Sequence, residues 1–97
     1  MKPPKTIDGA RVLEWAWSGE HPFGTLVDTE GNAGADIYGF AICQYDDDAT
    51  VYRFSCDQQW SCQQDMDNAS VEEAKNSIPR QYDASTLVWH AMTPDCV

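Results

Sequence analysis

The runs "DIYGFAICQY" (Asp36 to Tyr45) and "TVYRFSCD" (Thr50 to Asp57) constrain the fold of this chain more than any other feature. Both are rich in β-branched and aromatic residues, and only the polar stretch "DDDA" separates them, which predicts a β-hairpin. Closing the loop with Tyr45 against Thr50 sets Cys43 opposite Tyr52, Ala41 opposite Phe54 and Gly39 opposite Cys56. Small residues then face large ones, as cross-strand packing favours. A second short turn at Asp57, Gln58 and Gln59 leads into "WSCQQDMD", where Trp60, Cys62 and Met66 share a parity. The expectation is three strands pooling one apolar face of Ala41, Cys43, Tyr45, Tyr52, Phe54, Cys56, Trp60, Cys62 and Met66.

Met1 to Gly9, with Pro3 and Pro4, is expected to be a flexible lead-in to one domain over residues 10–97. "RVLEWAWS" (Arg11 to Ser18) alternates with a strand period, Leu13, Trp15 and Trp17 on one side and Glu14 and Ser18 on the other. "GEHPFG" breaks into a turn, "TLVD" is a short strand, and "TEGNAGA" makes a loop. In "SVEEAKNSIP" Ser70 and Glu73 form a capping box, Val71, Ala74 and Ile78 give a narrow apolar stripe, and Pro79 ends the helix. A helix of two turns does not persist alone in water, so it must pack on the sheet. "STLVWHAM" (Ser85 to Met92) is apolar on both sides and reads as a strand. The fold class is α+β: an antiparallel meander of about five or six strands with one short helix on a face.

At 97 residues the chain has room for one core, and a hydrophobic content of 42% is too high for a disordered protein. Its charge is the strongest compositional signal, with six Lys and Arg against sixteen Asp and Glu for a formal net charge of −10. Between Val12 and Ala74 thirteen acids face Arg53 alone, a local net charge of −12. Nucleic-acid backbones and anionic membranes are repelled by such a field, because binding them requires Lys and Arg. A basic protein is attracted. "MKPPKTIDGA" has no apolar run after its lysines, so neither a secretory signal nor a membrane anchor is expected, and the cytoplasm is the default compartment.

The side chains that carry chemistry fit no familiar site. Cys56 and Cys62 are separated by five residues, wider than a zinc knuckle, and no Cys-x-x-Cys opens a helix. With Cys43 and Cys96 they are expected to be reduced, as small buried hydrophobes. His21 and His90 lack a recognisable catalytic neighbour. "DTEGNAGADIYG" begins like a calcium loop but has Ala33 at the sixth position and Gly39 at the twelfth. No cofactor, metal site or catalytic residue is assigned.

A surface remains. Glu14, Glu20, Asp28, Glu30, Asp36, Asp46, Asp47 and Asp48 come from strand ends and loops that a meander can bring together. Trp60 and Trp89 are expected in the core, whereas Trp15 or Trp17 is expected to be only partly covered and to anchor a partner among those acids. The stretch "YRFSCDQQW", a following acid and then "SVEEAK", over Tyr52 to Lys75, resembles small bacterial immunity proteins, cytoplasmic antidotes to a paired toxin. That resemblance implies a non-enzymatic inhibitor occupying a basic toxin surface, and its residues are mainly structural. The reading is an acidic protein-binding module, most concretely an immunity-type inhibitor of a basic toxin or nuclease. Two other classes stay open: a small bacterial housekeeping or regulatory adaptor with incidental acidity, and an enzyme using carboxylates that carry no familiar motif.

Overall fold

The computed structural model describes residues 2–27, 30–31, 33–79, 82, 85 and 87–92. Among them the elements run β1 (Thr6–Ile7), β2 (Ala10–Trp17), β3 (Gly24–Val27), β4 (Ala33–Ile37), β5 (Gly39–Gln44), β6 (Val51–Cys56), β7 (Cys62–Asn68), α1 (Val71–Asn76) and β8 (His90–Ala91). The protein is mostly antiparallel sheet with one short helix. The main sheet has the order β1-β2-β5-β6-β7, with β8 also paired to β2, and β3 and β4 form a separate hairpin.

The hairpin read from the sequence is present in the expected register: Gly39 pairs with Cys56, Ala41 with Phe54 and Cys43 with Tyr52. Gly39 to Cys43 are buried without a break, so β5 is covered on both faces. On one face, the aromatic face, Ala41 and Cys43 join Ile7, Ala10, Val12, Phe54, Cys56 and Trp60, with Trp15 and Trp17 packed against them. On the other, the helix face, Phe40 packs with Ala16, Phe23, Ile37 and Tyr82, while Ile42 packs with Val51 and Ala74 of the helix.

Several expectations change for one physical reason, the β-bulge. In β2 the partners of Val12 and Glu14 are Cys43 and Ile42, so Leu13 is an extra residue without a partner in β5. Beyond it the parity reverses, and Trp15 and Trp17 share the aromatic face with Ala10 and Val12 instead of with Leu13. In β7 the partners of Cys56 and Ser55 are Cys62 and Gln64, so Gln63 is the inserted residue. Met66 therefore lies opposite Arg53 on the helix face, 43% exposed, and does not join the pooled apolar face. Tyr45 stays at the rim of that face: it is 36% exposed, its ring meets Tyr52 edge to face at 5.6 Å, and its hydroxyl donates to the Asp8 carbonyl at 3.2 Å.

The other differences concern element ends. The residues expected as a loose lead-in supply β1, joined to β2 through Asp8 and Gly9 at φ of 51° and 83°, and Ile7 is buried. The run from Asp36 to Tyr45 is two strands broken at Tyr38, and β4 begins at Ala33, inside the stretch expected as a loop. Of Ser85 to Met92, His90 and Ala91 are strand; Leu87 and Trp89 are irregular and half-buried against the helix face.

The helix is capped as its sequence requires. The Ser70 hydroxyl accepts from Glu73 N–H at 3.1 Å, and the Glu73 carboxylate accepts from Ala69 N–H at 3.3 Å. Its other end is anchored by Arg53, a side chain 2% exposed in the middle of β6. Arg53 donates to the Ala74 carbonyl at 3.1 Å and to Ser77 Oγ at 2.6 Å, supplying the cation and the donors that a helix C-terminus lacks.

Trp60 closes the aromatic face. The Asp57 carboxylate accepts from the N–H groups of Gln59 and Ser61, both at 2.9 Å, and the turn so fixed leaves Trp60 at φ 63°. Its indole lies flat over Gly39, where a Cβ would meet the ring at 2.5 Å. Gly39→Ala is expected to destabilise the fold by about 1–3 kcal/mol, the usual cost of overpacking a core, read as a lower urea midpoint. An unchanged midpoint would show that the indole is not seated on Gly39.

Candidate functional site

The bulge at Leu13 turns Trp15 and Trp17 onto the aromatic face at the end of the sheet where β2 finishes and β5 begins. Tyr38 is held beside them by two backbone bonds, from Ser18 N–H to its carbonyl and from its own N–H to the Cys56 carbonyl, each 2.9 Å. Trp17 lies 5.8 Å from Tyr38 and 5.4 Å from Trp60 between ring centres, and Trp15 meets Trp60 edge to face at 6.3 Å. Strand β8 sets His90 over Trp15 at 4.6 Å. Trp15, Trp17 and Tyr38 are half-buried and His90 is exposed, whereas Trp60 is 5% exposed. Two indoles, a phenol ring and an imidazole are thus linked through the buried indole of Trp60, which meets both Trp15 and Trp17. Such a cluster offers area for apolar contact and ring faces for a cation.

The expected acidic residues are not gathered around it. Glu20 follows Trp17 by three residues and is exposed. Asp36 precedes Tyr38 by two and accepts from Thr25 Oγ1 at 2.7 Å. Glu30 is exposed in the connection after β3, and Asp28 lies outside the described residues. Asp46, Asp47 and Asp48 sit at the opposite end of the sheet, beyond the length of β5, a separation of about 20 Å for six residues of strand. Asp46 is 3.6 Å from Arg11, with both side chains well exposed. Glu14 is on the helix face, 2.7 Å from Lys75, and belongs to neither group.

Asp48 has a local duty. Its carboxylate accepts from Thr50 N–H at 2.8 Å and from the Tyr52 hydroxyl at 3.1 Å. The Thr50 N–H first, and then Tyr52, hold it below the usual carboxylate range, while the same bond pushes the Tyr52 phenol up. It ties the loop between β5 and β6 and is less available to a partner than Asp46 or Asp47.

The thiols are placed as packing groups. Cys43 and Cys56 are buried and Cys62 is half-buried, all on the aromatic face, and Cys96 lies outside the described residues. Burial, and then the neighbouring Cys62, push Cys43 up to about 12. Burial followed by Asp8 and Asp65 pushes Cys62 up to about 11, and Cys56 is raised by the same cause. A thiol so raised stays protonated near neutral pH and is a poor nucleophile or metal ligand. Among the described residues no group of three or more His, Cys, Asp or Glu side chains is placed to hold a metal ion. None of their helices is long and apolar enough to cross a membrane.

Sequence reasoning missed Tyr38, His90, Asp65 and Asp67 as surface residues. The signal for the last two was present: "QQDMD" is polar at nearly every position, as a strand at a sheet border is. No protein-family model matches the chain, and neither a curated protein nor a solved structure shows significant similarity to it.

The thiols set a pH dependence with a definite sign. Folding raises their pKa, so their contribution is complete below the unfolded thiol value of about 8.5 and is lost as pH rises through the folded values. The urea midpoint is expected to fall from pH 8 into the alkaline range, and to fall less in Cys56→Ala. In native protein at pH 8, iodoacetamide should label Cys62 well before Cys43 or Cys56, read by peptide mass mapping; equal labelling would contradict their burial.

Proposed function

We propose that this chain is a non-enzymatic, acidic protein-binding module for a basic partner, most concretely a cytoplasmic immunity-type inhibitor of a basic toxin or nuclease. The observation that carries this reading is the pair of half-buried tryptophans, Trp15 and Trp17, at one end of the sheet in a chain of formal net charge −10. Interfaces draw most of their affinity from a few aromatic anchors, and surrounding charge of one sign selects the partner and speeds encounter. The rigid backing of Trp17 by Trp60 limits the conformational freedom lost on binding. The acids divide by position: Glu20 and Asp36 flank the aromatic end in sequence, whereas Asp46 and Asp47 lie far from it and act only through the long-range field.

A basic protein captured on the immobilised chain from the native host, then purified and titrated back, tests this reading. Affinity is expected to weaken as salt rises, because exposed charges are screened beyond about 10 Å at 0.1 M. Trp17→Ala should cost at least about 2 kcal/mol, roughly 30-fold in Kd, as for a buried aromatic anchor. Glu20→Gln with Asp36→Asn should slow association more than Asp46→Ser with Asp47→Ser. Binding indifferent to salt and to loss of both indoles would reject the module.

A further inference from the structure

The two borders of the sheet are finished differently. Along β2 the outer side is covered twice, by β1 opposite Ala10 and Arg11 and by β8 opposite Glu14 and Trp15. Along β7 the inner side pairs with β6, and among the described residues no strand lies on the outer side over its seven residues. An open border presents backbone N–H and C=O groups and is a template for one more strand. Here the Gln64 and Met66 carbonyls also accept from Cys62 Sγ at 3.4 Å and Asn68 Nδ2 at 3.1 Å, bonds that an added strand would compete with. Gln63 to Asp67 are all exposed.

The side chains on this border decide what could pair with it. Asp65 and Asp67 stand on the aromatic face, opposite Phe54 and Tyr52, and Gln64 and Met66 on the helix face. Between Phe54 and Ala74 the sequence has no Lys or Arg, and Lys75 is engaged by Glu14. Arg53, opposite Met66, is buried and donates to Ala74, Ser77 and Met66 Sδ. A second copy is a poor occupant: it brings the same formal net charge of −10 to this border in any register, and antiparallel pairing centred on Met66 also sets Asp65 against Asp67 of the other chain twice. An extended segment with cations at alternate positions reverses both terms.

We infer that the free edge of β7 receives an extended segment of the basic partner as an added strand, its Lys or Arg residues at alternate positions set against Asp65 and Asp67. This rests on the module proposed above and adds how the partner is held. Main-chain hydrogen bonds to β7 supply affinity and the alternating charges supply register. The competing account is that the acids only keep the border from aggregating.

The probe is an acetylated and amidated heptapeptide, Val-Lys-Val-Lys-Val-Lys-Val, titrated at low salt into the 15N-labelled full chain. Amide exchange across Cys62 to Asn68 is expected to slow at least tenfold on saturation. The peptide with Glu for Lys should bind at least tenfold more weakly, as should the peptide N-methylated at the alternate residues whose N–H groups face β7, whereas N-methylation in the other phase should leave binding within twofold. Asp65→Lys with Asp67→Lys should abolish binding, and Asp46→Ser with Asp47→Ser should leave it within twofold. No binding at millimolar peptide, equal binding of the N-methylated forms, or protection confined to other strands would each overturn strand addition. With the captured partner in place of the peptide, a bound complex showing no added protection on β7 removes the inference and leaves the module standing. Peptide pairing with β7 while no basic protein is ever captured keeps the edge site and removes the module.

Discussion

Strand β5 is buried on both of its faces, and the other elements are placed by what each must cover there. A strand buried twice cannot rest on one layer, so the chain builds two unlike covers. On the aromatic face β5 presents Gly39, Ala41 and Cys43, which leave room for Trp60, Phe54 and Tyr52 from the next two segments. On the helix face it presents Phe40 and Ile42, which are met by Phe23, Tyr82, Val51 and Ala74. Each fully buried side chain of this size contributes about 1.5–3 kcal/mol, so Phe40 and Ile42 are central to the stability of the helix face. The same requirement explains Arg53. Its charge costs free energy to bury, and it is held there by donating to the end of a helix too short to keep its own carbonyls satisfied.

Local chemistry is what the sequence made readable. The register of β5 on β6 comes from small residues facing large ones, and the helix start comes from Ser70 and Glu73, so both were legible. The two bulges were not. An inserted residue leaves no compositional mark, yet Leu13 and Gln63 each reverse the parity of the residues after them, moving Trp15 to the face of Val12 and Met66 to that of Arg53. Strand β1 was legible and was overlooked: Asp8-Gly9 is a two-residue hairpin signal, and both residues take the positive φ that such a turn needs. Strand β8 has two residues and is defined only by its partner, Glu14 and Trp15, so no pattern of its own could announce it.

The candidate surface was legible in its parts and not in its arrangement. Trp15 and Trp17 are half-covered, but the acids grouped with them by sequence are parted by the length of β5, and Glu14, the neighbour of Trp15 in the strand, faces the opposite side. Tyr38 and His90 enter the surface through a strand break and a two-residue pairing, features that tertiary contacts create.

A net charge of −10 on 97 residues works against compactness through self-repulsion, and the fold answers it unevenly. Glu73 and Asp57 each accept backbone N–H groups, Asp48 a backbone N–H and a phenol, Asp36 a hydroxyl, and Glu14 a lysine. These carboxylates hold caps, turns and loops, and of the five only Glu14 is neutralised by a cation. Asp8, Glu20, Asp47, Asp65, Asp67 and Glu72 stand exposed, and no side-chain hydrogen bond or ion pair engages them among the described residues. They are spread over the turn between β1 and β2, the turn beyond Trp17, the loop between β5 and β6, the border strand β7 and the first turn of α1. Of these, Asp65 and Asp67 lie on the open border strand and Glu20 just beyond Trp17, and a sheet meets another chain through such a backbone edge and through such rings.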